Sequence, residues 1–264
     1  MRLQDKIVLV TGASKGIGRA LALGMAKEGA ELILNYNSDR AGAESVAADV
    51  RSLGRRALVL GADIAKVSQV QRMFKKARAI FGRLDVLVNN AGITGWTSLF
   101  EVTESKWDLV IDTNLKGTFF CSLEAAKWMR ENQGGNIINV STNCAALGVR
   151  NLVAYATSKG GIHALTRQLA VELAPFKIRV NTFAPGPVNV DRNLKDDPGF
   201  KKAWGEMVPL GRTAEPEEMV GTAVFLASDE SSYMTGQVFY VDGGWTVSGK
   251  VPIENMDKAM TRNK

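Results

Sequence analysis

The 264-residue chain predicts a single α/β domain, a parallel sheet of about seven strands covered by helices on both faces. Two observations predict it. Short apolar runs rich in Val, Ile and Leu recur along the whole chain, and helical patterns fall between them. Such alternation argues for βαβ units feeding a parallel sheet. In addition, no internal repeat, low-complexity stretch or linker divides the sequence, so one domain should account for it.

The elements follow in order. Residues 6–10, containing Ile7-Val8-Leu9-Val10, form a short β-branched apolar run and read as a buried strand. The run leads into Thr11-Gly12-Ala13-Ser14-Lys15-Gly16-Ile17-Gly18. A helical pattern over 15–28 follows, with Ala20, Leu21, Leu23, Met25 and Ala26 as its apolar members. A strand, a glycine-rich turn and a helix start make a phosphate site. Glycines let the backbone approach a pyrophosphate, and the free N–H groups and dipole of the helix favour the anion. The spacing is G-x-x-x-G-x-G, which departs from the general G-x-G-x-x-G pattern. Further strands are expected at 31–36, 57–61, 85–89, 136–141, 178–183 and 237–241, and helices at 40–53, 67–81, 104–131, 154–173 and 215–228.

Two segments stand apart. Pro187, Asp196-Asp197-Pro198-Gly199 and Pro209 break all regularity over 187–214. The tail from 245 to 264 is partly polar, yet Trp245, Val247, Val251, Ile253 and Met256 give it apolar content. It is expected either to be disordered or to pack on a partner subunit.

One pair of residues carries chemistry. Tyr155 and Lys159 stand at i and i+4 in Tyr155-Ala156-Thr157-Ser158-Lys159, hence on one face of a helix. An ordinary tyrosine has a pKa of about 10. A cation fixed beside it favours the phenolate and draws Tyr155 towards acid–base work.

Composition excludes more than it assigns. The hydrophobic fraction of 45% supplies a core, and two cysteines, Cys121 and Cys144, provide no disulfide framework. The chain shows no signal-peptide pattern at its start and no apolar run of the roughly 20 residues a bilayer crossing needs. A cytoplasmic protein without a membrane role is expected. The net charge of +6 comes from basic residues scattered among acids, with no basic tract set among stacking aromatics, so no nucleic-acid partner is expected. The single histidine, His163, cannot build a metal site alone and reads as a packing residue; no metal is expected.

Five motifs, in one order, resemble the short-chain dehydrogenase/reductase family. They are TGASKGIG at 11–18, Asn89-Asn90-Ala91-Gly92, Asn114 in Asn-Leu-Lys-Gly-Thr-Phe, Tyr155 to Lys159, and Pro185-Gly186. The resemblance runs from about Leu3 to Gly244 and matches the compact single-domain branch. It implies a Rossmann-type doubly wound sheet and hydride transfer between nicotinamide C4 and a carbonyl or secondary alcohol. Tyr155 would be the acid/base, Lys159 would lower its pKa and hold the nicotinamide ribose, and Asn114 would position a water that links Lys159 to solvent.

The resemblance also implies a cofactor set. It comprises Gly12, Ser14, Lys15, Gly16, Ile17 and Gly18 at the glycine turn, and Asn37, Ser38 and Arg40 after the second strand. It continues with Asp63 and Ile64 at the adenine, Asn90, Ala91 and Gly92 along the central strand, and Pro185, Gly186 and Val188 at the carboxamide. An acidic residue after the second strand suits the ribose hydroxyl of NAD, and basic surroundings suit the 2′-phosphate of NADP. Tyr36 occupies the expected acidic position, and Lys15 and Arg40 could reach a 2′-phosphate, so NADP is preferred. Asp39 keeps NAD possible.

Two departures from the family pattern stand out. The threonine expected after Pro185-Gly186 is absent, and Asn189, Val190 and Asp191 stand there instead. The catalytic serine expected thirteen residues before the tyrosine falls on Thr142, with Ser141 beside it. Thr142 has the spacing and Ser141 the residue type, so either could supply the hydroxyl. Ile93, Thr94, Trp96, Cys144, Ala145, Leu152, Trp204 and Met207 are the substrate-pocket candidates. A 3-oxoacyl reductase or general carbonyl reductase leads, with a sugar or polyol dehydrogenase as alternative. A silent dinucleotide-binding sensor or scaffold is the alternative from another class. In the family, residues 187–214 cover the substrate, and helices around 104–131 and 154–173 build a homotetramer.

Overall fold

The computed structural model describes residues 1–132 and 134–248. Seven strands form one parallel sheet: β1 (Ile7–Val10), β2 (Glu31–Tyr36), β3 (Ala57–Gly61), β4 (Val86–Asn89), β5 (Gly135–Val140), β6 (Ile178–Pro185) and β7 (Val238–Val241). Their spatial order is β3-β2-β1-β4-β5-β6-β7. The order reverses between β1 and β4, and a crevice opens there beyond the carboxyl ends of the strands, the usual ligand position in open α/β sheets.

The strands are largely apolar because both faces of the sheet are covered. Val8 and Val10 face one layer and Ile7 and Leu9 the other, the alternation a pleated strand requires. The first layer holds α1 (Gly16–Lys27), α2 (Arg40–Ser52) and α9 (Val220–Ala227), which bury Leu21, Met25, Val46, Val50 and Val224. The second holds α3 (Val67–Phe81), α5 (Gly117–Glu131) and α6 (Val153–Leu173), with Met73, Phe74, Cys121, Met129 and Ala170 packed beneath them.

The expected elements agree with these bounds to within one or two residues, except that the helix expected over 215–228 is a 3₁₀ turn at Pro216–Met219 running into α9, and with two further differences. The helix expected over 104–131 is α4 (Glu104–Ile111) joined to α5 through a π-helical turn at Asp112–Lys116. The irregular segment 187–214 contains two short helices, α7 (Asp191–Asp196) and α8 (Phe200–Gly205). Helices this short show no sustained periodicity, so the sequence gives no signal for them. Of the tail, Trp245–Val247 form a 3₁₀ turn anchored by the carboxylate of Asp242, which accepts from the N–H and hydroxyl of Thr246 at 2.8 and 2.7 Å. Val251, Ile253 and Met256 lie outside the described residues. No described helix is long and apolar enough to cross a membrane.

Candidate active site

The glycine turn between β1 and α1 is held from both flanks by buried polar side chains. On one side, the Thr11 hydroxyl oxygen accepts the N–H groups of Asn90 and Ala91, each at 3.0 Å. The Asn90 amide in turn donates to the carbonyls of Thr11 and Gly12 at 2.9 and 3.1 Å. On the other side, Asn35 accepts Gly12 N–H at 3.3 Å and donates to Ala62 O at 3.0 Å, while its own carbonyl accepts Ala13 N–H at 2.8 Å. Asn35 is fully buried inside an otherwise apolar strand. That is costly unless every polar atom is satisfied, and its bonds explain its presence. A lone amide inside an apolar run is the signal that could have marked it as a site residue.

Two glycines show why the turn is what it is. Gly12 has φ +63°, a backbone that side chains rarely adopt. A Cβ on Gly18 would overlap the carbonyl oxygen of Gly12 and lie 2.5 Å from Asn90 Nδ2. Beyond them, α1 begins without a side-chain cap. Its first N–H groups therefore remain free to receive an anion.

This turn forms one end of a cleft of about 770 Å³. Gly12, Ser14, Lys15, Gly16, Ile17, Gly18, Asn37, Ser38, Asp63, Ile64, Asn90, Ala91, Gly92, Pro185, Gly186 and Val188 line it, together with Ser141, Thr142, Tyr155 and Lys159. The residues expected to hold a dinucleotide are thus brought together, and the glycine cradle and uncapped helix fit a pyrophosphate.

Arg40 is the exception. Asp39 caps α2 by accepting Gly42 N–H at 2.9 Å, which makes Arg40 the first residue of the helix and turns it outward. Its side chain is 75% exposed, lies 3.9 Å from Glu44 and does not border the cleft. Arg40, expected at the cofactor, is thus not brought into the cleft with the others. Asp39 lines the cleft instead, and Tyr36 packs its ring against Gly61.

At the other end, β5 delivers two hydroxyls in succession, and the pleat sends them opposite ways. Ser141 donates to the backbone carbonyl of Lys159 at 3.2 Å. Thr142 lines the cleft beside Tyr155, donates to Asn143 Oδ1 at 3.4 Å and accepts Cys144 N–H at 3.3 Å. Lys159 is 4% exposed; its ammonium donates to Val140 O at 2.7 Å and stands 5.9 Å from the centre of the Tyr155 ring. Asn114 sits in the π turn, a common site of function. Its amide accepts Ile93 N–H and donates to Ile93 O, both at 2.9 Å, and donates to Ser158 Oγ at 3.0 Å. Asn114 Oδ1 and Lys159 Nζ meet over Gly92, where an added Cβ would come within 3.1 and 3.4 Å of them.

The electrostatics differ from the expectation of a fixed cation lowering the tyrosine. Burial pushes the Tyr155 phenol up, to about 12, against smaller downward pulls from Arg192 and the Thr142 hydroxyl. Burial likewise pulls Lys159 down, to about 8, with Arg192 adding to the effect. Removal from water is the first cause of both shifts.

Arg192, like Asn35, escaped the sequence reading. It lies on α7, lines the cleft and is felt at both Tyr155 and Lys159. Of the substrate-side candidates, Ile93 and Thr94 line the cleft. Trp96, Trp204 and Trp245 gather into an edge-to-face cluster with centroids 6.4 and 5.7 Å apart. Asn189 is buried and tied to Glu215 and Thr213 at 2.7 and 2.8 Å.

A family model described as Enoyl-(Acyl carrier protein) reductase matches residues 12–246, spanning both ends of this cleft. The chain belongs to the short-chain dehydrogenase/reductase family. It is an oxidoreductase. It is 41% identical over 242 residues to the 3-oxoacyl-(acyl-carrier-protein) reductase FabG of Staphylococcus epidermidis, covering 91% of this chain and 98% of that one. Among solved structures, a protein from Sinorhizobium meliloti 1021 named as a short-chain alcohol dehydrogenase superposes with a TM-score of 0.89 at 36% identity, over 94% of this chain and 98% of the other. One from Agrobacterium tumefaciens named as a gluconate dehydrogenase gives the same TM-score, identity and coverage. A short-chain type dehydrogenase/reductase from Mycobacterium marinum matches with a TM-score of 0.89 at 33% identity.

Proposed function

We propose that this oxidoreductase uses NADP(H) and interconverts a carbonyl and a secondary alcohol, with Tyr155 as the acid/base. One observation carries the reading: the Tyr155 phenol, with Thr142 and Lys159 beside it, shares a cleft with the glycine turn. The bound cofactor supplies or accepts the hydride at nicotinamide C4. Tyr155, protonated across the neutral range because of its raised pKa, is ready to give its proton to the developing alkoxide. Thr142, whose hydroxyl is tied to its neighbours Asn143 and Cys144 by long bonds of 3.4 and 3.3 Å, turns to donate to the same oxygen. Lys159, its ammonium 5.9 Å from the centre of the Tyr155 ring, serves to replenish the proton. Any water leading to it would rest on the backbone of Asn114, since the Asn114 amide is already occupied.

The preference for NADP rests on Lys15, which is exposed at the rim of the cleft next to Asn37 and Ser38. The Asp39 carboxylate is engaged as the cap of α2. A 3-oxoacyl or general carbonyl substrate follows from the likeness to FabG, and a sugar or polyol substrate is the second reading, favoured by the tryptophan cluster and the likeness to the protein named as a gluconate dehydrogenase. Leu109, Phe119 and Val171 leave apolar area exposed on α4, α5 and α6, which supports a homotetramer built on these helices. A cytoplasmic location accords with this reading.

The test is titration with NADPH and NADH followed by fluorescence, then a carbonyl panel with wild type and Tyr155→Phe. NADPH should bind more tightly by about tenfold, and Tyr155→Phe should lose about 10³-fold in turnover while still binding NADPH. Equal or tighter NADH binding sinks the cofactor preference, and an undiminished rate in Tyr155→Phe sinks the mechanism.

A further inference from the structure

Arg192 is a cation at the reaction end of the cleft that has no use in the reaction described above. Three observations define it. It lines the cleft together with Thr142, Tyr155 and Lys159. Its guanidinium makes no hydrogen bond or ion pair with any described residue, although Asp191 and Asp196 border the same cleft. Its charge reaches the phenol and the buried ammonium, whereas Lys195, also on α7 and also lining the cleft, does not.

The cofactor leaves little for Arg192 to do. Its pyrophosphate is provided with the free N–H groups of α1, and its 2′-phosphate with Lys15. The side chain of Val190 stands over Gly16, where an added Cβ would meet it at 3.2 Å, so the chain passes the phosphate turn two residues before Arg192. From there α7 carries Arg192 towards Tyr155. An unpaired guanidinium is a planar fork of donors matched to a carboxylate, which it binds with two parallel hydrogen bonds.

We propose that Arg192 anchors a carboxylate on the substrate, so that the enzyme acts on oxo acids and the corresponding hydroxy acids in preference to neutral ketones and alcohols. This rests on the carbonyl-reducing reading above. The reaction balances without a further reagent: NADPH gives a hydride to the carbonyl carbon and becomes NADP⁺, Tyr155 gives the oxygen a proton, and the carboxylate stays intact on Arg192.

The test compares acetoacetate and 2-oxobutyrate with their ethyl esters, using wild type, Arg192→Met and Arg192→Lys. Arg192 is exposed and unpartnered, so the variants should fold as wild type does. Wild type should prefer each acid to its ester. In Arg192→Met that preference in kcat/KM should fall by about tenfold or more, chiefly through KM, with Arg192→Lys in between. NADPH affinity, measured separately, should change less than the acid's KM. Wild type that favours the esters, or a preference unmoved by Arg192→Met, overturns the proposal. So does a loss confined to NADPH binding, which would place Arg192 on the cofactor.

Acid binding to the NADPH complex of Tyr155→Phe, read by tryptophan fluorescence with and without Arg192→Met, separates the two readings. Binding that depends on Arg192, in a protein whose wild type reduces nothing, upholds the anchor and removes the carbonyl-reducing reading. Binding indifferent to Arg192 overturns the anchor alone.

Discussion

The two ends of the cleft are built on different principles. At the phosphate end the ligand-facing groups are backbone atoms, and the side chains of Thr11, Asn35 and Asn90 serve to hold that backbone in place. All three sit at or just beyond the carboxyl ends of β1, β2 and β4, inside a rigid sheet. At the reaction end the ligand-facing groups are side chains drawn from β5, α6 and the short helix α7, whose residues are largely exposed. A site that works through its backbone admits few residue types, because glycine geometry and buried amides are not interchangeable. A site that works through side chains on short elements can change its chemistry without disturbing the fold. The cofactor end is therefore the part whose residue types the fold constrains most, and the reaction end the part free to vary.

The largest effect that would sharpen this contrast comes from the paired hydroxyls. Thr142→Val keeps the branched shape and removes the hydroxyl, and should lower kcat by about 10²–10³ while NADPH binding persists. Ser141→Ala removes a hydroxyl already committed to the Lys159 carbonyl and should cost far less. Steady-state kinetics of the two variants decides the matter. If Ser141→Ala is the damaging change, the outward turn of Thr142 does not set the chemistry and the reaction end is arranged differently.

At the phosphate end the informative substitutions involve glycine. Gly18→Ala drives a methyl into the Gly12 carbonyl and the Asn90 amide, both fixed by other bonds. Overpacking of this kind costs about 1–3 kcal/mol, and NADPH affinity should fall with it. Gly160→Ala lies within α6 with nothing near its Cβ, and should raise stability by about 0.5–1 kcal/mol. Thermal unfolding with and without NADPH reads both. Equal and opposite behaviour from the same chemical change would show that the turn, not glycine content, makes the site; a neutral Gly18→Ala would show that the turn can relax.

How much of this was legible in the sequence follows the same division. The seven strands and the main helices could be read because buried parallel strands are continuous apolar runs and long helices show their period. The residues of the glycine turn could be read because their types are imposed by backbone geometry. Arg40 was misplaced because a sequence shows proximity along the chain, and the cap formed by Asp39 reverses the direction of the next side chain. Arg192 was passed over because nothing in the residues after Pro185-Gly186 reveals that they wind into α7 and turn back to the cleft. The pKa of Tyr155 was misjudged because the spacing of Tyr155 and Lys159 reports their nearness but not the burial that dominates both.

That burial has an independent witness on the same helix. His163, the sole histidine, is 8% exposed on α6 one turn beyond Lys159, its ring edge-on to Tyr240 at 6.2 Å, and its Nε2 has no partner. Burial pulls its pKa from 6.5 down to about 4, with the cations Arg167 and Lys159 adding to the shift. The sign follows from linkage. Above pH 6.5 neither the folded nor the unfolded chain protonates the ring, and it has no effect. As the pH falls from 6.5 towards 4, the unfolded chain takes up a proton that the folded chain refuses, so the native state loses stability; below 4 the loss levels off. Discounted for the solvent at the ring edge, the loss is about 1–2 kcal/mol by pH 4.5. His163→Leu should abolish this part of the acid limb, so the stability difference between variant and wild type should grow by that amount between pH 7 and 4.5 in urea unfolding. The lone imidazole resonance gives the same answer directly. Titration near 4 would mean that α6 is as dry along this face as the shifts of Tyr155 and Lys159 require, whereas titration near 6.5 with parallel acid limbs would mean that water reaches the helix, and Lys159 would then keep its full charge beside the phenol.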